Sequence, residues 1–217
     1  MSHWQNLKPY LTPERQEKMV RTAQKRTRHV RLVVQDVHHP HNVSACMRSA
    51  EGMGIQNIDV VNLAEPFRAT TVARGVVGWL DVQKHPSVEG CAQSLHEQGF
   101  KIAAALPDRR AVPLGELPVD QPIALVFGNE HSGVAPEWEN HLDYRFTIPM
   151  TGMAQSFNIS VSAAISIYDI MRRSFEQHGE KLYISNAEQE KLLGSWAYDQ
   201  LDSADEILKR LQASPQA

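Results

Sequence analysis

The sequence predicts an α/β fold built on a mainly parallel β-sheet, with helical extensions at both ends. Two observations carry this. Short β-branched or apolar runs alternate with amphipathic helical stretches from Arg31 onward, the pattern of strand–helix–strand units. Two of the runs, residues 100–106 (FKIAAAL) and 122–128 (PIALVFG), are too continuously apolar for one face to sit in water, as in strands covered on both sides.

Taken in order, Thr12 and Pro13 read as the N-cap and first residue of a helix running to about Thr27. Residues 31–37 (RLVVQDV) read as a strand. Asn42 is a candidate cap for a helix to about Met53, with Val43, Cys46, Met47, Ala50 and Met53 at three- and four-residue spacing and Gly52 and Gly54 at its end. A strand over 58–63 follows, then a short helix from Thr70 with Gly75 and Gly78 near its end. Ser87 opens a helix that stops at Gly99. After the two apolar strands, Pro136 starts a short helix, and 144–150 is the next strand. From Ser156 to about Gln177 a long helix is apolar almost all round and rich in small residues, which predicts burial. One or two amphipathic helices, near 188–193 and 204–211, close the chain. The division expected is a basic helical extension over 1–30, a catalytic-size domain over 31–177 and a helical extension over 178–217, with no repeat or low-complexity linker.

Composition is that of an ordinary globular chain, 42% hydrophobic and 22% charged. There is no apolar run of membrane-spanning length and no signal core at the N-terminus, and Cys46 and Cys91 suggest no disulfide framework. A reducing cytoplasm is the expected setting, with no membrane partner. The net charge of −3 conceals an asymmetry: Lys8 to Arg31 holds eight basic residues against two acids, a local net of +6. Such a segment suits contact with phosphates, and equally a solvated helix face. Dinucleotide and Walker loops, the hydrolase elbow and the H-E-x-x-H pair are all absent. His38, His39 and His41 sit at loop spacing around Pro40 with no acidic or cysteine partner at ligand spacing, so no metal is expected.

Three segments, each following a strand, resemble the three signature motifs of the SPOUT superfamily, TrmH (SpoU) branch. The first is HNVSACMRSAEGMG (41–54), with Asn42 and Arg48. The second is LVFGNEHSGV (125–134), with Gly128, Asn129 and Glu130. The third is IPMTGMAQSFNISVSAAISIY (148–168), with Ile148, Ser156, Phe157 and Asn158. In order and correctly spaced, they form a specific signature. VHHPHNVSA, GWLDVQKH and IPMTGMAQSFNISV are similar to the subgroup that methylates the ribose of guanosine 18 in tRNA, although Phe157 stands where Leu is frequent and the C-terminal extension matches less well. The resemblance implies a deep C-terminal trefoil knot, a homodimer with its active site across the interface, S-adenosylmethionine as methyl donor and tRNA as substrate. Ribosomal RNA, or RNA binding without catalysis, are the competing readings.

Carried over residue by residue, the resemblance makes Arg48, Asn42, Glu130 and Asn158 catalytic, and lines the donor pocket with Ala105, Gly128, Ile148, Ser156 and Phe157. By residue type alone, Ala105, Ile148 and Phe157 would be core, Asn42 and Asn158 helix caps, and Arg48 an exposed helix arginine about 140° round from Val43. A guanidinium keeps its proton, so Arg48 suits a bidentate hold on phosphate and stabilisation of a developing alkoxide better than a literal base role. For RNA docking, Lys18, Arg21, Lys25 and Arg28 recur at helical spacing and predict one basic face, joined by Arg172 and Arg173 after the long helix. A partner helix is expected against Ser160, Ala163, Ala164 and Ile167.

Overall fold

A computed structural model of the chain describes residues 2–37, 39–61, 75–129 and 131–213. The chain divides into two compact units, Thr27–Leu182 and Met1–Arg26 together with Tyr183–Ala217.

In the latter unit, a short helix that the sequence reading missed, α1 (His3–Leu7), is capped by Ser2. Helix α2 (Pro13–Ala23) starts as expected, with Thr12 accepting the Arg15 N–H and Pro13 in the first turn. It ends earlier than expected, because Thr27 is already pinned in the sheet of the other unit by its N–H to the Gly54 carbonyl (2.8 Å) and its hydroxyl to the Leu182 carbonyl (2.7 Å).

The C-terminal segment supplies two further helices to this unit. They are Asn186–Asp199, opened by a capping box between Ser185 and Glu188, and Ala204–Ala213. Helix α1 packs on the helix Asn186–Asp199; Trp4 and Leu7 of the first and Leu192, Leu193 and Trp196 of the second are buried, and Gly194 lets the α1 backbone come close: a Cβ there would lie 3.1 Å from the Trp4 nitrogen. Arg26 is fully buried with its guanidinium 5.3 Å from the centre of the Trp196 ring.

Among the described residues of Thr27–Leu182, seven strands form one sheet: β1 (Thr27–Gln35), β2 (Ile55–Val61), β3 (Asp81–His85), β4 (Lys101–Ala105), β5 (Val112–Pro113), β6 (Ile123–Phe127) and β7 (Tyr144–Thr147). Their order is β3-β2-β1-β6-β4-β7-β5, and every neighbouring pair is parallel. The parallel α/β class predicted from the sequence is therefore the one observed. Three longer helices cover the sheet: α3 (Pro40–Gly52), α4 (Val88–Glu97) and α5 (Ile159–His178). Alternation along β1 shows why both faces are apolar. Leu32 and Val34 join the core with Val43, Met47, Ala163 and Ile167 of α3 and α5, whereas Val33 joins Val88, Cys91 and Leu95 of α4 on the opposite face. The helix expected from Thr70 begins outside the described residues, which resume in a helical turn at 75–77.

Helix α5 departs from expectation. It buries Ile159, Ala163, Ser166, Ile167, Ile170 and Met171, but Val161, Ile165, Tyr168 and Phe175 are 36–60% exposed. The face read as a seat for a partner is thus partly used inside the chain, Ala163 and Ile167 being fully buried, and a second apolar stripe faces outward.

One polar cluster lies inside the sheet. Asp59 of β2 is buried, accepts from Arg31 of β1 at 3.3 Å and lies 2.8 Å from the His85 ring nitrogen of β3. Arg31 also donates to Gln98 (2.7 Å) and stacks 4.8 Å from the centre of the Phe100 ring. Cys91 is the third potential ligand beside Asp59 and His85. Burial, with the Asp59 charge next in weight, pushes its thiol well above the ordinary range. Arg31 already pairs with Asp59, and the protonated Cys91 thiol adds no charge beside them. A divalent ion replacing the thiol proton would leave a buried positive charge, which low-dielectric surroundings oppose.

Candidate functional site

Topology gathers the three motif segments. Strands β1, β6, β4 and β7 are neighbours and parallel, so their C-terminal ends open on one edge of the sheet. The first segment follows β1, the second β6 and the third β7. The chain runs outward from β1 to β3, then returns on the other side of β1, and ligand clefts in parallel sheets form where strand order reverses in this way.

A small cleft of about 70 Å³ lies at the ends of β4 and β7. Four of the five residues expected there, Ala105, Ile148, Ser156 and Phe157, line it. Leu106, Pro107, Met150 and Gln155 line it too, and sequence reasoning missed them; the signal available was their position just past a buried parallel strand. The wall formed by Pro107 is braced by ions. Asp108 pairs with Arg110 (2.9 Å), Arg110 reaches Glu139 (3.3 Å), and Glu139 pairs with Arg145 of β7. The Arg110 backbone N–H, followed by its side chain, holds the Asp108 carboxyl below the usual range.

Gly128, the fifth residue, sits after β6 and is not among the residues lining the cleft. Its lack of a side chain has a local cause. A Cβ there would lie 1.9 Å from the Gly133 carbonyl oxygen, because Asn129 and Gly133 exchange backbone hydrogen bonds (3.0 and 3.1 Å) and close the loop on itself. The Asn129 side chain fills that loop, accepting the N–H groups of His131 (2.9 Å) and Ser132 (2.8 Å). Glu130 lies outside the described residues.

In the first segment, Asn42 is not the helix cap. Pro40 is the first residue of α3 and His39 its cap, and the Asn42 N–H bonds to the His39 carbonyl at 2.9 Å. The fixed φ of proline starts the helix two residues earlier than the asparagine alone suggested. The Asn42 side chain instead accepts from the Asn158 amide at 3.3 Å. Asn158 caps α5, its oxygen taking the Ser160 N–H (2.8 Å) and hydroxyl (2.6 Å), while its NH2 reaches Asn42. The fold therefore joins residues 116 positions apart in sequence, one from the first segment and one from the third. Arg48 is exposed on α3 and makes no ion pair with any described residue.

The expected basic face divides. Lys18 and Arg21 are exposed on α2, and Lys25 lies beyond its end, 4.6 Å from the centre of the Tyr183 ring. Arg28 is not on that helix at all: it belongs to β1, donating to Asn57 (2.6 Å) and pairing with Asp81 (2.8 Å). Arg172 pairs with Glu176 (2.6 Å) and Asp169 (3.2 Å) along α5. Arg173 binds Asp169 (2.8 Å) and the carbonyls of Leu117 (2.6 Å) and Leu114 (2.9 Å).

Sheet, strand-end cleft and the Asn42–Asn158 contact define an α/β protein with a composite site built from loops after parallel strands. The description of the SpoU rRNA methylase family matches residues 29–168, and the chain belongs to that family of methyltransferases. It is 32% identical over 199 residues, 88% of this chain and 92% of the relative, to a tRNA (guanosine(18)-2′-O)-methyltransferase of Aquifex aeolicus. It is 29% identical over 193 residues to the Escherichia coli protein of the same name, covering 87% and 84% of the two chains. Among solved structures, a TrmH/SpoU tRNA modifying enzyme of A. aeolicus superposes with a TM-score of 0.79 at 29% identity, covering 87% of this chain and 97% of that one. No helix among the described residues is long and apolar enough to cross a membrane.

Proposed function

We propose that this enzyme transfers a methyl group from S-adenosylmethionine to the 2′-oxygen of a ribose in RNA, guanosine 18 of tRNA being the preferred target. The observation that carries this reading is the Asn42–Asn158 contact, made where the segments after β1 and β7 converge, Asn158 capping α5 directly after the cleft residue Phe157. The substrate assignment is supported by the names of the Aquifex and E. coli relatives, which the chain matches over most of their length.

The cleft suits the donor by its chemistry. Ala105, Ile148 and Phe157 offer apolar walls for an adenine, and Gln155, Ser156 and Ser162 offer hydrogen bonds to its polar parts. When bound, the donor would supply an electrophilic methyl on a sulfonium: the oxygen–carbon bond forms as the sulfur–carbon bond breaks, the sulfonium becomes a neutral thioether, and the 2′-hydroxyl proton passes to solvent water. The chain has then to hold the ribose in line and favour the developing alkoxide. Arg48, exposed and without an ion-pair partner among the described residues, serves as the cation for the flanking phosphate and the alkoxide. Asn42 and Asn158 orient that end of the site, and Glu130 is assigned there by family resemblance.

The same reading includes a homodimer in the cytoplasm and a trefoil knot around the third segment. The dimer is supported by the outward stripe of Val161, Ile165, Tyr168 and Phe175, a helical face that an isolated chain leaves wet. Exposed Lys18, Arg21 and Lys25 are assigned to RNA docking. Methylation of total RNA with labelled donor, followed by mapping of the modified ribose, tests the whole reading. Label at guanosine 18 of tRNA is the expected result. Label confined to ribosomal RNA would move the substrate, and binding of RNA without donor binding would remove the activity.

A further inference from the structure

We propose that Gln35 and Asp36 are positioning residues that lock the first and second motif segments into register; this rests on the methyl-transfer reading above. Neither residue is placed to touch the reacting atoms. Both lie at the point where β1 hands the chain to the first segment.

Gln35 is a polar side chain only 2% exposed, directly after the buried apolar run Leu32, Val33 and Val34. Buried amides are retained where both ends are hydrogen-bonded. Its oxygen accepts the Ala135 N–H at 2.9 Å, and its nitrogen donates to the Asp36 carboxylate at 3.3 Å. Ala135 is the residue directly after the second segment, so one side chain ties the exit of that loop to the end of β1. Asp36 has φ +46°, the only left-handed non-glycine conformation among the described residues. Asparagine and aspartate tolerate this region, β-branched residues do not. Such a conformation persists where its surroundings hold it, and here the Asp36 N–H is bonded to the Val61 carbonyl at 2.9 Å while its carboxylate takes the Gln35 amide. The turn at Asp36 sets the direction in which the chain reaches His39, the cap of α3, and hence where Asn42 meets Asn158. Gln35 and Asp36 form a hinge pin shared by two loops, and the third segment is registered to it through Asn42.

The test uses the full chain. Gln35→Leu removes both hydrogen bonds at similar volume, Asp36→Val forbids the backbone conformation, and Asp36→Asn keeps conformation and acceptor. Gln35→Leu and Asp36→Val should lower kcat for RNA methylation by about a hundredfold, the scale of a misplacement near 1 Å. The dissociation constant for S-adenosylmethionine should not change, and Asp36→Asn should restore most of kcat. Unchanged kcat in the first two variants, or kcat and donor affinity falling in parallel, overturns the proposal. Should Gln35→Leu fail to fold, Gln35→Asn, too short to span both partners, takes its place. A wild-type chain that methylates no RNA defeats the functional reading instead. Amide exchange at Ala135 and the side-chain amide resonance of Asn42 then decide: both shifting in the Gln35 variant supports the coupling, and an unmoved Asn42 resonance sinks it.

Discussion

Arg31 and Arg48 lie on consecutive elements of one unit and face opposite fates. Arg31 is buried, bound to Asp59 and Gln98 and stacked on Phe100, so its charge is consumed inside the protein. Arg48 is exposed and has no ion-pair partner among the described residues, so its charge is available to a ligand. The same division runs through the other cations: Arg26, Arg28, Arg172 and Arg173 are engaged within the chain, and Lys18 and Arg21 lie exposed. Net charge along the sequence counted them alike. What separates an architectural cation from a working one is the partner that the fold supplies.

The comparison breaks most severely at Asp59. Asp59→Ala leaves the Arg31 guanidinium buried and uncompensated, which should cost about 3–5 kcal/mol. Chemical denaturation of the two proteins measures it, and a loss below about 1 kcal/mol would mean that water reaches the cluster. Arg48→Ala should behave in the opposite way. Stability should stay within about 0.5 kcal/mol, as for an unpaired surface residue. The rate should fall at least about a hundredfold with donor binding retained. Steady-state kinetics beside a thermal melt separates the two, and normal turnover would remove Arg48 from the mechanism.

Smaller effects sharpen the division. Replacing Lys18, Arg21 and Lys25 with Gln should weaken tRNA binding and make its salt dependence shallower by roughly 0.7–0.9 per lost phosphate contact. Adding Arg28→Gln should leave that slope where it was, because Arg28 is held by Asn57 and Asp81. A further drop would show that the internal pairs open to RNA. Arg172→Ala, which gives up the exposed pairs with Asp169 and Glu176 along α5, should lower Tm only slightly in a thermal melt, because solvent screens both.

The least of these effects is one of pH. His29 and His178 stack at 4.7 Å, and each has a ring nitrogen near the Val119 carbonyl (3.3 and 2.8 Å). Burial, with a smaller push from His178, holds His29 below its ordinary 6.5 despite the bond to Val119. The unfolded chain takes up this proton first, so the contribution is complete above pH 6.5 and is lost as pH falls through the folded value. His29→Gln should flatten the acid side of a Tm-against-pH curve, and an unchanged curve would assign that slope to other groups.

Sequence patterns revealed the sheet wherever burial decided the residues. Strands β4 and β6 were legible because both faces are covered, and α4 because Ser87 and Gly99 mark its ends. Strand β3 was not, since Asp81, Gln83 and Lys84 at a sheet edge carry no apolar run. The sequence shows the outer face of α5 to be apolar but not that this chain leaves it exposed, because periodicity records hydrophobicity, not what covers it. At the site, motif resemblance identified Asn42 and Asn158, but their contact is tertiary and no local rule contains it. Gln35 escaped for the converse reason: one amide in RLVVQDV looks like a strand's polar face until its burial is known.

The closed loop at Gly128 has a consequence for how such a site changes over time. The ring from Asn129 to Gly133 is sealed by its own backbone, and the space beside Gly128 is already filled by a carbonyl. Gly128 and Gly133 are therefore constrained as sequence, the first by that carbonyl and the second by its φ of +71°. His131 and Ser132 give the Asn129 side chain backbone N–H groups, which any residue but proline also supplies. Sequence drift at 131 and 132 is thus compatible with a closed ring, and drift at the two glycines is not.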